Sequence, residues 1–322
     1  MIQIKNLCKE YDGIEILHDI SLTVDTGEIY GIVGASGEGK STLLRCINGL
    51  ETYKSGSLSV DGIEVASLDE TGARNLRRNM GMVFQNFSLI KRKSVYHNIA
   101  LPMECWQVSD EKIKAKVEYL AEVVGIADKL NMRPDELSGG QMQRVAIARA
   151  LTMDPKYILC DECTSALDPQ TTLAILELLG GIRRELGVTI IMVTHEMQVV
   201  QSVCDRMAIV ANGKIAKEGI VSDIFFENPI ELRRLLGNKT IQISPQEALL
   251  SFETEQSAEG EILWELGRLL DKPYTVKDAL SYTSHGKKMA KITIAFDVTM
   301  YSDVENYISK KGIRCLLEKE VA

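Results

Sequence analysis

The chain has 322 residues, 45% of them hydrophobic and 25% charged, with a formal net charge of −8. That length accommodates two domains, and the composition is that of an ordinary soluble globular protein. Divided at residue 240, the chain carries 27 Lys+Arg against 32 Asp+Glu and then 10 against 13. Neither part has the basic surface that nucleic-acid binding requires, so no nucleic-acid partner is expected.

The small basic group of Arg74, Arg77, Arg78 and Lys91-Arg92-Lys93 reads as a solvated face. No run approaches about 20 uninterrupted apolar residues, and Met1-Ile2-Gln3-Ile4-Lys5 shows no export leader. Seven cysteines at scattered positions suit reduced thiols. The expectation is a cytoplasmic protein, with Cys160-x-x-Cys163 an incidental pair at the end of an apolar strand.

Residues 2–7 alternate apolar and polar, as a half-buried antiparallel strand does, and Ile14–Val24 reads as its continuation after the Tyr11-Asp12-Gly13 turn. Ile29–Val33 is a continuous apolar run, the pattern of a buried parallel strand, and a helix is expected from Ser41 to Asn48. Met80–Gln85 reads as another buried strand, and Asp110–Gly125 has helical periodicity. Ser138 is placed to cap a helix over Gln141–Met153 that Asp154-Pro155 ends.

Strand Tyr157–Cys160, helix Thr172–Leu186 and strand Val188–Thr194 follow, then a hairpin about Asn212-Gly213. Alternating strands and helices predict an α/β fold with a mixed, mainly parallel sheet. A linker is expected over 228–244. The last 80 or so residues, 241–322, read as a small α+β unit of ferredoxin-like βαββαβ order. Its strands fall at Ala248–Glu253, Tyr274–Tyr282, Met289–Val298 and Arg314–Glu320, and its helices at Ile262–Leu270 and Ser302–Lys310.

Gly34-Ala35-Ser36-Gly37-Glu38-Gly39-Lys40-Ser41 fits G-x-x-x-x-G-K-[ST] between a predicted strand and a predicted helix, the context a phosphate-cradling loop needs. Bare amides at Gly37, Gly39 and Lys40 approach phosphate closely, the helix turns its positive end towards it, Lys40 neutralises the β- and γ-phosphates, and Ser41 ligates Mg²⁺. Asp161 and Glu162 end an apolar strand, where they suit Mg²⁺ and an activated water respectively. His195 and Gln85 also follow strands, at the edge where ligands collect in open α/β sheets. They are candidates for the γ-phosphate and for Mg²⁺ with the attacking water. Tyr11 offers a stacking surface for adenine, with plain turn packing as the competing reading.

Leu137-Ser138-Gly139-Gly140-Gln141 is a second place where backbone amides open a helix. Two such sites on different elements, only one of which carries a lysine, suggest a nucleotide clamped between two copies. With Met142-Gln143-Arg144 it forms a signature, and the whole set resembles the nucleotide-binding subunit of ATP-binding-cassette transporters over roughly residues 1–240. Ser165-Ala166-Leu167-Asp168 is similar to that family's D-loop and His195 to its switch histidine. The stretches Leu159–Pro169 and Val193–Met197, with the C-terminal unit, are most similar to the methionine-importer branch. Cys163 stands where that branch usually has Ala, and Glu38 where Ser is common.

The resemblance implies a helical subdomain at about 88–152 and two ATPs sandwiched in a homodimer. The loop Gly34–Ser41 with Thr42 acts from one copy, and Ser138, Gly139, Gly140, Gln141 and Asp168 from the other. It implies Glu162, His195, Lys40 and Gln85 as the catalytic set. The segment from Phe87 to about Trp106 would meet a helix of a separate membrane permease at the cytoplasmic face of the membrane, served by an extracytoplasmic binding protein. Residues 241–322 would be a regulatory domain taking an amino-acid effector, or alternatively a stabilising appendage. Another amino acid or a methionine derivative as cargo remains open, as does a soluble cassette ATPase outside transport.

Overall fold

The computed structural model describes residues 1–237, 244–284 and 287–318. In chain order the first strands are β1 (Ile2–Tyr11), β2 (Ile14–Val24), β3 (Ile29–Val33), β4 (Ser55–Val60) and β5 (Ile63–Glu64). They are followed by β6 (Met80–Phe84), β7 (Tyr157–Asp161), β8 (Thr189–Thr194), β9 (Arg206–Ala211) and β10 (Lys214–Ile220). The helices among them are α1 (Lys40–Ile47), α2 (Glu70–Arg78), α3 (Val95–Cys105), α4 (Asp110–Val123), α5 (Gly139–Leu151), α6 (Pro169–Leu186) and α7 (Met197–Val203).

Six strands form the central sheet in the order β10-β9-β3-β8-β7-β6, parallel throughout except for the β9–β10 hairpin. Every residue of β3 and β8 is buried, which is why both read as unbroken apolar runs rather than alternating ones. Alternation appears instead between two cores. Ile158 and Cys160 pack with α3, α4, α5 and α6 on one face, while Tyr157 and Leu159 pack with α1 and the N-terminal strands on the other. Asn212 and Gly213 both take positive φ, 50° and 69°, as a tight hairpin turn requires.

The N-terminal antiparallel strands are not strands of this sheet, although His18 of β2 donates its amide to the Gly213 carbonyl at 2.8 Å. They form a sheet of their own, β2-β1-β4-β5. Helix α2 carries no buried residue, so it has no apolar period to read. It is secured instead by Asp69, whose Oδ1 accepts the Gly72 amide at 2.7 Å.

The chain divides into two compact units, Met1–Val221 and Ser222–Ala322. The boundary expected at residue 240 and the linker expected over 228–244 therefore differ from the structure. Helix α8 (Val221–Glu227) precedes the expected linker and α9 (Ile230–Leu235) lies within it, while residues 238–243 lie outside the described residues. Within the second unit Lys291 Nζ donates to the Phe226 carbonyl at 2.6 Å and Arg314 pairs with Asp223 at 2.8 Å. Those contacts assign the α8 residues to the C-terminal body, and no sequence period reveals them.

That body holds β11 (Glu247–Glu255), α10 (Glu259–Leu270), β12 (Thr275–Ser284), β13 (Lys287–Asp297), α11 (Tyr301–Lys311) and β14 (Cys315–Glu318). Its sheet is antiparallel in the order β12-β13-β11-β14, the ferredoxin-like arrangement. Ala248, Leu250, Phe252, Ile292, Ile294 and Phe296 line one face and bury Ile262, Leu266, Val304 and Ile308 of the helices. Residues 319 and 320 of the last expected strand lie outside the described residues.

Candidate nucleotide site

Strand register gathers the site. Phe84 stands opposite Asp161, Asp161 opposite Val193, and Val33 opposite Thr194, so the carboxyl ends of β6, β7, β8 and β3 form one edge. Gln85, Glu162, His195 and Gly34 are the next residues of those four strands. In an open parallel sheet this edge is where ligands bind, because the crossover helices begin there.

Between β3 and α1 the loop turns on Gly37 and Gly39, with φ of +85° and +86°. A Cβ on Gly39 would lie 2.7 Å from Leu17 Cδ2 and 3.2 Å from the Ile16 carbonyl oxygen, in a left-handed conformation that favours glycine. Lys40 is 5% exposed and folds back on the loop, donating to the Gly34 carbonyl at 2.9 Å and the Ala35 carbonyl at 2.7 Å. Burial pulls its ammonium below the usual lysine range, against the opposing fields of Glu162, Glu38 and Asp161. Glu38 Oε2 accepts the Gly213 amide at 3.3 Å, tying the loop to the β9–β10 turn.

Ser41 Oγ donates to Asp161 Oδ1 at 2.6 Å. A hydroxyl and a carboxylate brought together are hard oxygen donors, the pair that suits a small divalent cation such as Mg²⁺. Among the described residues no group of three or more His, Cys, Asp or Glu could hold a metal by itself. Phosphate oxygens would complete such a coordination shell.

Glu162 takes a left-handed conformation, φ +47°, with its amide bound to the Val193 carbonyl at 3.0 Å. Left-handed backbone is uncommon for a side chain of this size, and strain of this kind clusters at functional sites. Glu162 Oε1 lies 3.2 Å from His195 Nδ1, and the two side chains are 19% and 46% exposed. Cys160 and Cys163 are both buried. Hydrogen bonding to Cys163 and burial hold the Cys160 thiol far above its usual range, so the pair is packing rather than chemistry.

A cavity of about 290 Å³ is lined by Tyr11, Ile16, Ser36, Gly37, Gly39, Lys40, Ser41, Thr42 and Glu162. Ile16 had no sequence signal, being one apolar residue of a strand. Ser138, Gly139, Gly140, Gln141 and Asp168 take no part in the lining. Gln85 is exposed, and it, Asp161 and His195 also stand outside it.

The second amide cluster is built separately. Ser138 Oγ accepts the Gln141 amide at 3.3 Å while Gln141 Oε1 accepts the Ser138 amide at 2.9 Å, a reciprocal capping box opening α5. A Cβ on Gly140 would meet Thr171 Cγ2 at 2.5 Å, which explains the glycine there. Asp168 caps α6 by accepting the Thr171 amide at 3.0 Å, and hydrogen bonds from Thr171 hold its carboxyl below the usual range. Arg149 of α5 was missed in the sequence. It donates to the Phe87 and Ser88 carbonyls at 2.9 and 2.7 Å, tethering the segment after Gln85 to the signature helix.

The family model described as ABC transporter matches residues 17–165. Methionine import ATP-binding protein MetN of Clostridioides difficile (strain 630) is 45% identical over 314 residues, covering 98% of both chains. The protein of the same description from Mannheimia succiniciproducens is 43% identical over 307 residues, covering 92% of this chain and 86% of its own. Among solved structures, a dimeric ATP-binding cassette in a post-hydrolysis state bound to ADP and Pi superposes with a TM-score of 0.63 at 34% identity, covering 69% of this chain and 99% of its own. The cbiO1 protein of Clostridium perfringens, part of an ABC transporter complex, gives a TM-score of 0.67 at 31% identity, covering 73% of this chain and 94% of its own.

Proposed function

The chain belongs to the ABC transporter family, and on that premise we propose that it is the ATP-hydrolysing subunit of a methionine importer. The observation that carries the methionine reading is coverage. The solved cassettes match 69% and 73% of this chain, whereas the likeness to the methionine import protein runs over 98% and so takes in the C-terminal unit.

The chain is an ATPase, and the reading of its site is a sandwich of two copies. The phosphate loop, Tyr11 and Glu162 line one cavity, and Ser138, Gly139, Gly140, Gln141 and Asp168 stand apart from it. A nucleotide held by Lys40 of one copy and by the signature amides of the second favours the closed pair over the open one, and it shifts the equilibrium by that difference in affinity. Lys40 gives up the Gly34 and Ala35 carbonyls to meet the β- and γ-phosphates. Glu162 draws the proton from the attacking water as its oxygen bonds to the γ-phosphorus and the bridge to ADP breaks. His195 holds the Glu162 carboxylate and the γ-phosphate.

Ser41, Asp161 and Gln85 would hold Mg²⁺, which when bound neutralises developing charge on the phosphate oxygens. Gln85 and the Phe87–Trp106 segment, fixed to α5 by Arg149, would carry the state of the site to a membrane permease. No described helix is long and apolar enough to cross a membrane, consistent with a peripheral subunit on the cytoplasmic face, served from outside by a binding protein. The second unit would be the regulatory domain, taking an amino-acid effector.

The test is uptake of labelled methionine by cells in which the chromosomal gene is replaced by a Glu162→Gln copy. High-affinity uptake is expected to disappear, while a wild-type copy restores it. Unchanged methionine uptake with loss of uptake of another amino acid would reassign the cargo and leave the ATPase reading standing.

A further inference from the structure

We infer that Lys9 and Glu51 are positioning residues that hold the Tyr11 ring as the platform for the purine of the bound nucleotide. This rests on the reading of Tyr11 as the base-stacking residue of the site. Tyr11 ends β1 beside the Asp12-Gly13 corner and is 39% exposed, so the backbone alone leaves the ring free to swing. Lys9, two residues earlier on the same strand, is only 6% exposed. Its Nζ sits 4.3 Å from the Tyr11 ring centroid, inside cation–π range.

The same ammonium lies 3.0 Å from Glu51 Oε2. Burial works against the charge on Lys9, but the Glu51 hydrogen bond together with the fields of Tyr11, Glu51 and Cys46 outweighs it, and the group stays an ammonium. The Glu51 carboxyl is held below its usual range by the hydrogen bond from Lys9 and, behind that, by the Tyr11 hydroxyl. Glu51 is itself fixed just past α1, its amide bound to the Arg45 carbonyl at 3.1 Å. The far end of the phosphate-loop helix is thereby cross-linked to the base platform.

Tyr11 lines the nucleotide cavity, and Lys9 and Glu51 do not. The ammonium therefore takes one face of the ring from behind and leaves the opposite face to a planar aromatic base. A ring held before binding avoids the ordering penalty that a free side chain meets on binding, worth about two- to tenfold in affinity. The phosphate contacts are untouched by the clamp, so its effect is confined to ligands that carry a base.

The full chain is titrated with MgATP and with magnesium tripolyphosphate, which has the phosphates and no base. Lys9→Met is expected to weaken MgATP about two- to tenfold and to leave tripolyphosphate unchanged, and Lys9→Arg to retain wild-type values for both. In a Tyr11→Ala background, Lys9→Met is expected to do nothing further. Equal weakening of both ligands, the same loss with Tyr11 already removed, or no loss of MgATP affinity overturns the clamp. Tyr11→Ala with unaltered MgATP affinity overturns the stacking reading beneath it. Should Lys9→Met fail to fold, Glu51→Gln carries the same paired titration with the same outcomes.

Discussion

Replacing Glu162 by glutamine changes one oxygen for an NH2 group and nothing in the backbone. The left-handed φ of +47° and the amide bond to the Val193 carbonyl are kept. Glutamine also still reaches His195 Nδ1 over the 3.2 Å gap, through its own carbonyl or amide. What disappears is the ability to accept a proton from water, a contribution of about 10²- to 10⁴-fold, or about 3–5 kcal/mol of activation free energy. No hydrogen bond to the phosphate loop is removed, so MgATP affinity is expected to stay within about threefold.

Phosphate release by the purified full chain measures the first quantity, and light scattering after gel filtration in MgATP measures whether a dimer accumulates once hydrolysis stops. Turnover within about threefold of wild type would remove Glu162 as the base. A slow variant that stays monomeric at saturating MgATP would refute the shared pocket instead. Glu162→Gly separates stability from chemistry, because it relieves backbone strain of about 1–2 kcal/mol. It is expected to melt no lower than wild type while hydrolysing no faster than the Gln variant.

Ser138→Arg is expected to retain single-copy MgATP binding and to abolish hydrolysis, since Ser138 stands outside the Lys40 cavity; normal turnover in phosphate-release assays would contradict an in-trans role. Burial on α1 pushes the Cys46 thiol up to about 11 from an ordinary 9.0. The folded state therefore resists losing that proton, and the stability it contributes is whole below about pH 9 and falls between 9 and 11, by at most about 1.4 kcal/mol per pH unit. Urea unfolding across that window should show a shallower decline in Cys46→Ala, and parallel curves would exclude the thiol as the cause. Truncation after Val221 is expected to leave a well-behaved ATPase insensitive to internal amino acid. Truncation at Ser244 strands Ile224, Phe225, Phe226 and Leu232, all buried in the whole chain, and should aggregate on gel filtration. Feedback inhibition surviving the shorter truncation would clear the C-terminal unit of a regulatory role.

The elements the sequence could announce are those whose burial is complete or strictly periodic. Ile29–Val33 reads as a buried parallel strand and Val188–Thr194 as a strand because every residue of β3 and β8 is buried. The loop from Gly34 to Ser41 was legible because its chemistry needs consecutive residues: glycines where φ is positive and a lysine at the first turn. Helix α2 was not legible, because it buries nothing. Helix α9 falls where a linker is expected from the sequence, and α8 just before it has no sequence signal, because at 6 and 7 residues they are too short for an apolar stripe to repeat.

Sequence alone determined the residue types, the strand–loop–helix order and the family, since each is written in local spacing. Folding decided which distant residues share an edge. Nothing in the chain order puts Asp161 within 2.6 Å of Ser41, or Glu162 beside His195. Parallel pairing of β6, β7, β8 and β3 does so, because hydrogen-bond register aligns the carboxyl ends of strands far apart in the chain. The same holds for Arg149 against Phe87 and for Lys9 between Glu51 and Tyr11. Those contacts depend on side-chain direction in three dimensions, which one-dimensional spacing does not encode.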